Sequence, residues 1–206
     1  MAWDLRFPAV QPVSLKKKLN PDRQPKGFLV APGTYTVSLS KRVNGEIINL
    51  IEPQEFEVER LRSGALPGAE PDEVVAFWER TAKLQRSVTA SSNIVDTLDK
   101  KVTGLKRALA RTRSAPEELD EQWQAIRSEL FEIEEVLGGN QSMNEVGQEL
   151  PPTVQGRLRK VLTGIGNSTY GPTTTHRKVL EFAEADFGNI RAVSYTHLTL
   201  PTTPYV

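Results

Sequence analysis

The spacing of apolar residues changes between residues 62 and 72, and this change limits the folds open to the chain. Before it, apolar residues alternate with polar ones, which is the period of a half-buried strand. After it, they recur every three or four residues, as in an amphipathic helix. A segment rich in Gly and Pro separates the two patterns. We therefore predict an α+β chain with a β domain at 1–62, a linker at 63–71 and a helical bundle at 72–191.

Two segments of the β part show the strand alternation directly. Trp3–Phe7 carries its apolar residues on one face and Asp4 and Arg6 on the other. Thr34–Ser40 has the same alternation and follows the turn signal Pro32-Gly33. The side chains predicted to point inward from this second strand are Tyr35, Val37 and Leu39.

A hairpin signal follows the second strand. Asn44-Gly45 supplies the two residues that adopt positive φ in a tight hairpin, and Glu46–Ile51 would return as the partner strand. Phe56 and Val58 mark a last strand. The resulting four or five strands are fewer than the about seven of a full sandwich. We expect a partial fibronectin-III or immunoglobulin-like β-sandwich whose N-terminal strands precede this sequence.

The helical part begins with one long helix and its antiparallel partner. Asp72 is the expected cap of a helix of roughly 40 residues, with a weak point at Ser91-Ser92-Asn93. Ser114–Glu117 reads as a capping box that starts the second helix, which Gly138-Gly139 ends. The first helix is basic from Lys100 onward and the second is acidic, which favours antiparallel pairing. The apolar seam of the second helix comprises Leu119, Trp123, Ile126, Leu130, Ile133 and Leu137.

Two further helices complete a predicted bundle of three to four helices. A polar loop is predicted at Asn140–Pro152, and a fourth helix begins after a cap at Thr173 or Thr174. The third helix spans roughly Thr153–Ile165, with predicted inward residues Val154, Leu158, Val161, Leu162 and Ile165. The inward residues predicted for the fourth helix are Val179, Leu180, Phe182, Ala183, Phe187 and Ile190. Residues 193–203 resemble the translation of a sequencing adapter, so we treat 192–206 as an artefactual tail and expect the fourth helix to end near Arg191.

Composition excludes several classes of protein. The 26 basic and 26 acidic residues give zero net charge, which argues against a nucleic-acid partner or a polybasic membrane surface. Without Cys there is no disulfide framework, thiolate metal site or cysteine nucleophile. No apolar run reaches the ~18 residues of a membrane span, and the first residues lack the form of a signal peptide.

No set of residues forms a convincing chemical site. His176 reads as a surface or first-turn histidine, and Glu132 and Glu135 read as a solvated helix face because no Glu-x-x-His motif accompanies them. Trp3, Phe7 and Tyr35 could form a sugar-stacking platform, although their phase favours core packing. We therefore predict no catalytic, cofactor-binding or metal-binding residue, no cofactor, and no enzymatic activity for this fragment.

Three segments resemble a known family in their residues and in their order. They are Trp3-Asp-Leu-Arg6, Val30-Ala-Pro-Gly-Thr-Tyr-Thr-Val37 and Asn167-Ser-Thr-Tyr-Gly-Pro-Thr-Thr-Thr-His-Arg177. Together they resemble the C-terminal region of exported sialidase-like (BNR-repeat, sortilin-like) β-propeller proteins that carry the name glycosyl hydrolase. The resemblance implies an upstream propeller that holds any active site, followed by an accessory sandwich and a helical bundle.

These observations lead to one expected function and two alternatives. The expected function is a non-catalytic C-terminal accessory and assembly region of an exported, periplasmic or extracellular propeller protein, whose partner is the propeller of the same parent chain. One alternative is a carbohydrate-binding module that uses Trp3 and Tyr35 to bind a glycan. The other is an adaptor whose helical hairpin binds another protein.

Overall fold

The computed structural model describes residues 3–10, 26–61, 67–113, 116–166 and 170–197, with the backbone alone for residues 192–197. Strands come first and helices follow, which confirms the α+β class in this part of the chain. The strands are β1 Gly33–Val37, β2 Ser40–Val43, β3 Glu46–Asn49 and β4 Gln54–Val58. The helices are α1 Pro71–Arg111, α2 Glu117–Gly138, α3 Gln141–Glu145, α4 Val154–Gly166 and α5 Thr174–His197.

The four strands form a long two-stranded ribbon. β1 pairs antiparallel with β4, and β2 pairs antiparallel with β3. Leu50 N–H donates to the Leu39 carbonyl at 2.8 Å, which connects the two pairs. At the tip, Asn44 and Gly45 have φ of 51° and 92°, so the predicted hairpin turn is confirmed.

The single strand predicted at Thr34–Ser40 is wrong, because residues 38–39 separate β1 from β2. Four residues lie between β3 and β4 on the returning arm, opposite only two on the outgoing arm. This excess interrupts the regular ladder in the manner of a β-bulge. The inward orientation predicted for Val37 and Leu39 is also wrong, because both are about half exposed, at 52% and 53%.

The strand predicted at Trp3–Phe7 is wrong as well. Leu5 has a φ of 56°, which ends the alternation, and only Arg6 forms a bridge, with Leu29. Two hydrogen bonds flank the bridge, from Phe7 N–H to Phe28 and from Val30 N–H to Leu5. The following residue, Pro8, has no N–H with which to extend the ladder.

α1 runs for 41 residues without a break. It continues through the predicted weak point, where Ser92 Oγ donates to the Val88 carbonyl at 3.0 Å and so bonds within the helix. The expected cap at Asp72 is wrong by two residues, because Glu70 occupies the N-cap and Pro71 the first helical position. Proline is favourable there because that N–H has no partner within a helix.

α1 and α2 form the predicted antiparallel hairpin. Their contacts pair Lys106 with Asp120, Val102 with Trp123 and Asp99 with Arg127, so one residue number falls as the other rises. The capping box predicted at Ser114–Glu117 is wrong, because Pro116 occupies the N-cap of α2 and no side-chain hydrogen bond caps it. Ser114 itself lies outside the described residues. Gly139, with a φ of 93°, ends α2 as expected.

α4 and α5 pack antiparallel against each other and close the core, whereas α5 runs parallel to α1. The parallel direction follows from two pairs, Glu73 with Arg177 and Arg80 with Glu184. Apolar side chains with no more than 2% exposure mark the centre of the bundle: Val88, Leu137, Val154, Val161, Ile165, Leu180 and Ala183. Their positions confirm the predicted inward faces of α4 and α5 with one exception.

Several details of the bundle differ from the prediction. Leu119 and Ile126, placed in the apolar seam of the second helix, are 42% and 41% exposed. Phe182 is 56% exposed rather than inward, and the Arg157 guanidinium lies 5.3 Å from its ring centre. The backbone of α5 continues to His197, beyond the expected end near Arg191. α3 lies in the segment predicted as a loop and is capped by Asn140, whose side chain accepts from Met143 N–H.

Candidate interaction surface

An aromatic cluster lies on one face of the ribbon. Tyr35 and Phe56 are direct partners across β1 and β4, so their rings share a face, with centres 6.1 Å apart. The Trp3 ring packs against both, at 5.5 Å from Tyr35 and 6.0 Å from Phe56. The Trp3–Phe56 contact is edge-to-face, a favourable geometry for aromatic pairs.

The polar atoms of this cluster already have partners within the chain. Trp3 Nε1–H donates to the Arg6 carbonyl at 3.0 Å. The Tyr35 hydroxyl donates to the Ala31 carbonyl at 2.7 Å. Trp3 nevertheless remains 46% exposed. The cluster therefore offers apolar ring surface to a partner, with its indole and phenol donors already engaged.

Apolar exposure continues along the ribbon beyond the aromatic cluster. Ile47, near the tip, is 63% exposed. The other exposed aliphatic side chains of the ribbon are Val37, Leu39, Val43, Ile48, Leu50 and Ile51. Because a two-stranded ribbon is only marginally stable by itself, such side chains are normally covered by further strands or by another surface. Because successive strand residues such as Ile47 and Ile48 point to opposite faces, these aliphatic side chains occupy both faces of the ribbon. We call the aromatic cluster and these aliphatic residues together the ribbon surface.

The base of the ribbon is held against the helical bundle by stacked rings. Phe28 is buried, and its ring stacks on Trp78 of α1 with centres 5.6 Å apart and an angle of 7° between the planes. Phe7 packs on Phe28 at 4.7 Å. The segment that leads into β1 is therefore attached to the start of α1 through these rings.

The three aromatic residues considered for sugar stacking do not form one platform. Trp3 joins Tyr35, as the pattern allowed, but the other partner in the cluster is Phe56 rather than Phe7. Phe7 contributes instead to the stack with Phe28. Sequence reasoning missed Phe28 and Phe56 as functional neighbours. The pairing of Tyr35 with Phe56 could have been read from the hairpin centred on Asn44-Gly45, apart from the two-residue bulge.

His176, Glu132 and Glu135 lie on helices α5 and α2 and not on the ribbon. His176 is in the first turn of α5, where its N–H donates to Thr173 Oγ1 and its Nδ1 accepts from Thr173 N–H. This position confirms the first-turn interpretation. Glu132 is exposed and Glu135 is half-buried on α2. Among the described residues, no three His, Cys, Asp or Glu side chains are grouped so that they could hold a metal ion.

Comparison with protein-family models, with curated proteins and with solved structures finds no match to this chain. Among the described helices, none combines the length and the hydropathy that a membrane crossing requires.

Proposed function

We propose that this chain is a non-catalytic accessory and assembly region of an exported sialidase-like β-propeller protein. In this proposal the ribbon belongs to a fibronectin-III-like sandwich, and the ribbon surface packs against the propeller of the parent chain. The observation that carries the proposal is the exposed apolar ribbon surface attached to a helical bundle through Phe28 and Trp78.

The exposed aliphatic side chains of the ribbon would be stabilised by a covering surface. Burying an exposed Val, Leu or Ile contributes about 1.5–3 kcal/mol when burial is complete. Several such residues lie on a ribbon that has no second layer among the described residues. A covering surface would therefore stabilise both the ribbon and the complex. The order of the three segments that resemble the propeller family supplies the identity of the proposed partner.

The first test of the proposal is the genomic sequence upstream of this open reading frame. We expect an in-frame propeller upstream, and the propeller and this chain, expressed separately, should bind in calorimetry. Ile47→Glu should weaken binding about tenfold or more, since it places a charge in an apolar contact. Leu105→Glu, on the helical hairpin, is the matched control and should leave it unchanged. The absence of a propeller, or equal binding by both variants, would contradict the proposal.

The non-catalytic part of the proposal has its own measurement. The purified chain should not hydrolyse glycosides, and turnover by this polypeptide would contradict the assignment. The assay should include sialosides because the resemblance is to sialidase-like proteins.

A carbohydrate-binding module is the second candidate function, and the exposure of Trp3 beside Tyr35 favours it. A sugar ring can stack on indole without a hydrogen bond to its N–H. In this case a polysaccharide in the gel would slow the migration of the chain in affinity-gel electrophoresis. Trp3→Ala would abolish this retardation, whereas Ile47→Ala would not. Retention of binding by Trp3→Ala would exclude this site.

A further inference from the structure

The α1–α2 hairpin carries two apolar stripes on each helix, and only one stripe is well buried. On α1 the buried stripe is Val88, Val95 and Val102, seven residues apart. On α2 it comprises Trp123, Leu130 and Leu137, of which Trp123 is half-buried. Each second stripe lies three residues further along its helix. Its members are Leu98 and Leu105 on α1 and Ile126 and Ile133 on α2.

The second stripes of both helices lie on the same side of the hairpin. In an antiparallel pair, an approximate two-fold axis perpendicular to the plane of the two helices exchanges one helix for the other. Equivalent positions of the two helices therefore lie on the same side of that plane. Leu105 is 49% exposed and Ile126 is 41% exposed. Leu119, one heptad before Ile126, is also exposed. Leu98 and Ile133 are half-buried and pack against the core of the bundle. We call the side formed by the exposed Leu105, Leu119 and Ile126, next to Leu98, the open face.

The two helices that border the open face have opposite charges. Residues 100–111 of α1 contain five basic residues and no acidic one. α2 contains eight acidic residues and one basic residue. Across the hairpin, Lys106 pairs with Asp120 and Arg127 pairs with Asp99. Within the described chain, Lys100, Lys101, Arg107 and Arg111 have no ion pair.

We propose that a second copy of this chain covers the open face, with the basic α1 of each copy lying over the acidic α2 of the other. The arrangement buries the exposed Leu105, Leu119 and Ile126 of both copies in an antiparallel four-helix contact. A partner helix of one charge sign would match only one of the two helices. A second copy supplies both signs at once, which favours self-association over an unrelated partner.

This inference concerns the helical hairpin and is separable from the ribbon proposal. The full chain should sediment as a dimer at about 100 µM, a concentration at which weak homodimers are populated. Leu105→Glu should raise the dimer Kd about tenfold or more, because it places a carboxylate in the apolar centre of the contact. Ile47→Glu, on the ribbon, is the control and should dimerise normally. A monomeric wild-type chain, or an unchanged Leu105→Glu dimer, would overturn the proposal.

A second variant protects the test against unfolding of Leu105→Glu. Lys101 is exposed beside Leu98 and Leu105, so Lys101→Glu should leave the helical circular dichroism unchanged and weaken the dimer. Unchanged dimerisation of this variant would overturn the charge pairing. Zero-length carbodiimide cross-links in a mixture of ¹⁴N- and ¹⁵N-labelled chains should join α1 lysines of one copy to α2 carboxylates of the other. Cross-links between copies that avoid α2 would contradict the arrangement.

Discussion

The imidazole of His176 lies so close to Gly164 that a methyl group on Gly164 would collide with Nε2. The ring cannot move away freely, because its Nδ1 accepts a hydrogen bond from the N–H of Thr173. Gly164 is thus the point at which α4 allows the first turn of α5 to approach. The absence of a side chain at this position matters for packing rather than for backbone conformation.

Gly164→Ala is therefore expected to destabilise the chain by about 1–3 kcal/mol, the usual cost of overpacking. Urea unfolding followed by circular dichroism measures this change. Gly188→Ala in α5 is the matched control, because no atom lies within 4 Å of the added carbon, and it should be neutral or stabilising. In a double-mutant cycle, His176→Ala should remove most of the cost of Gly164→Ala. Equal costs for the two glycine variants would contradict this packing.

Trp123→Phe tests the seam of the α1–α2 hairpin. Trp123 Nε1–H donates to the Val102 carbonyl at 2.8 Å, and the Lys106 ammonium lies 4.4 Å from the ring centre. Replacing indole by phenyl removes the hydrogen bond but retains an aromatic ring, so we expect a loss of about 1–2 kcal/mol in unfolding free energy. Phe131→Leu on an exposed face of α2 is the control. A neutral Trp123→Phe would mean that this hydrogen bond contributes nothing.

Asp120→Asn tests the ion pair at the far end of the hairpin. The hydrogen bond from Lys106 lowers the pKa of the Asp120 carboxyl below its ordinary value. The folded chain therefore binds this proton less readily than the unfolded chain. The resulting stabilisation is present above the unfolded pKa and is lost as the pH falls through the folded pKa.

The stability difference between wild type and Asp120→Asn should thus be larger at pH 7 than at pH 3. Urea midpoints at the two pH values measure it, with Glu121→Gln as the control because Glu121 has no ion pair with the described residues. A difference that is independent of pH would rule out the pair as its cause.

Phe28→Ala tests the attachment of the ribbon to the bundle. Because Phe28 is buried against Trp78 and Phe7, truncation should cost about 3 kcal/mol or more if the two parts unfold together. Limited proteolysis should then cut the segment before β1 more rapidly, with the helical signal largely retained. Phe56→Ala, in the aromatic cluster, should weaken the ribbon without releasing it from α1. Equal protease resistance of Phe28→Ala and wild type would contradict the attachment.

The helices were largely predictable from sequence because each carries a stripe of apolar residues that recur with the helical period. Val154, Leu158, Val161 and Ile165 are buried as their spacing predicts. Phe182 is an exception to the pattern. Its ring lies at the edge of the apolar stripe and contacts the Arg157 guanidinium instead of the core. α3 was not predicted because its five residues are too few to show a helical period.

The β part was less predictable because alternation identifies a strand but not the layer that covers it. Val37 and Leu39 alternate as core residues do, yet they lie on a ribbon that has no second layer among the described residues. The strand predicted at Trp3–Phe7 is interrupted at Leu5, which has a positive φ. No residue in that segment is of a type that signals a positive φ. The aromatic part of the ribbon surface depends on pairing between β1 and β4, which the hairpin turn indicates. The stack of Phe28 on Trp78 joins residues that are too distant in sequence for a local pattern to connect them.

The parallel course of α1 and α5 places two helix N-termini at the same end of the bundle. Each terminus carries about half a positive charge from its macrodipole, so the two repel. α1 has Asp72 and Glu73 in its first turn, whereas α5 has no acidic residue in its own. Glu73 also lies 3.5 Å from Arg177 in the first turn of α5. Glu73 therefore compensates positive charge at the end that the two helices share, and added salt should weaken this compensation.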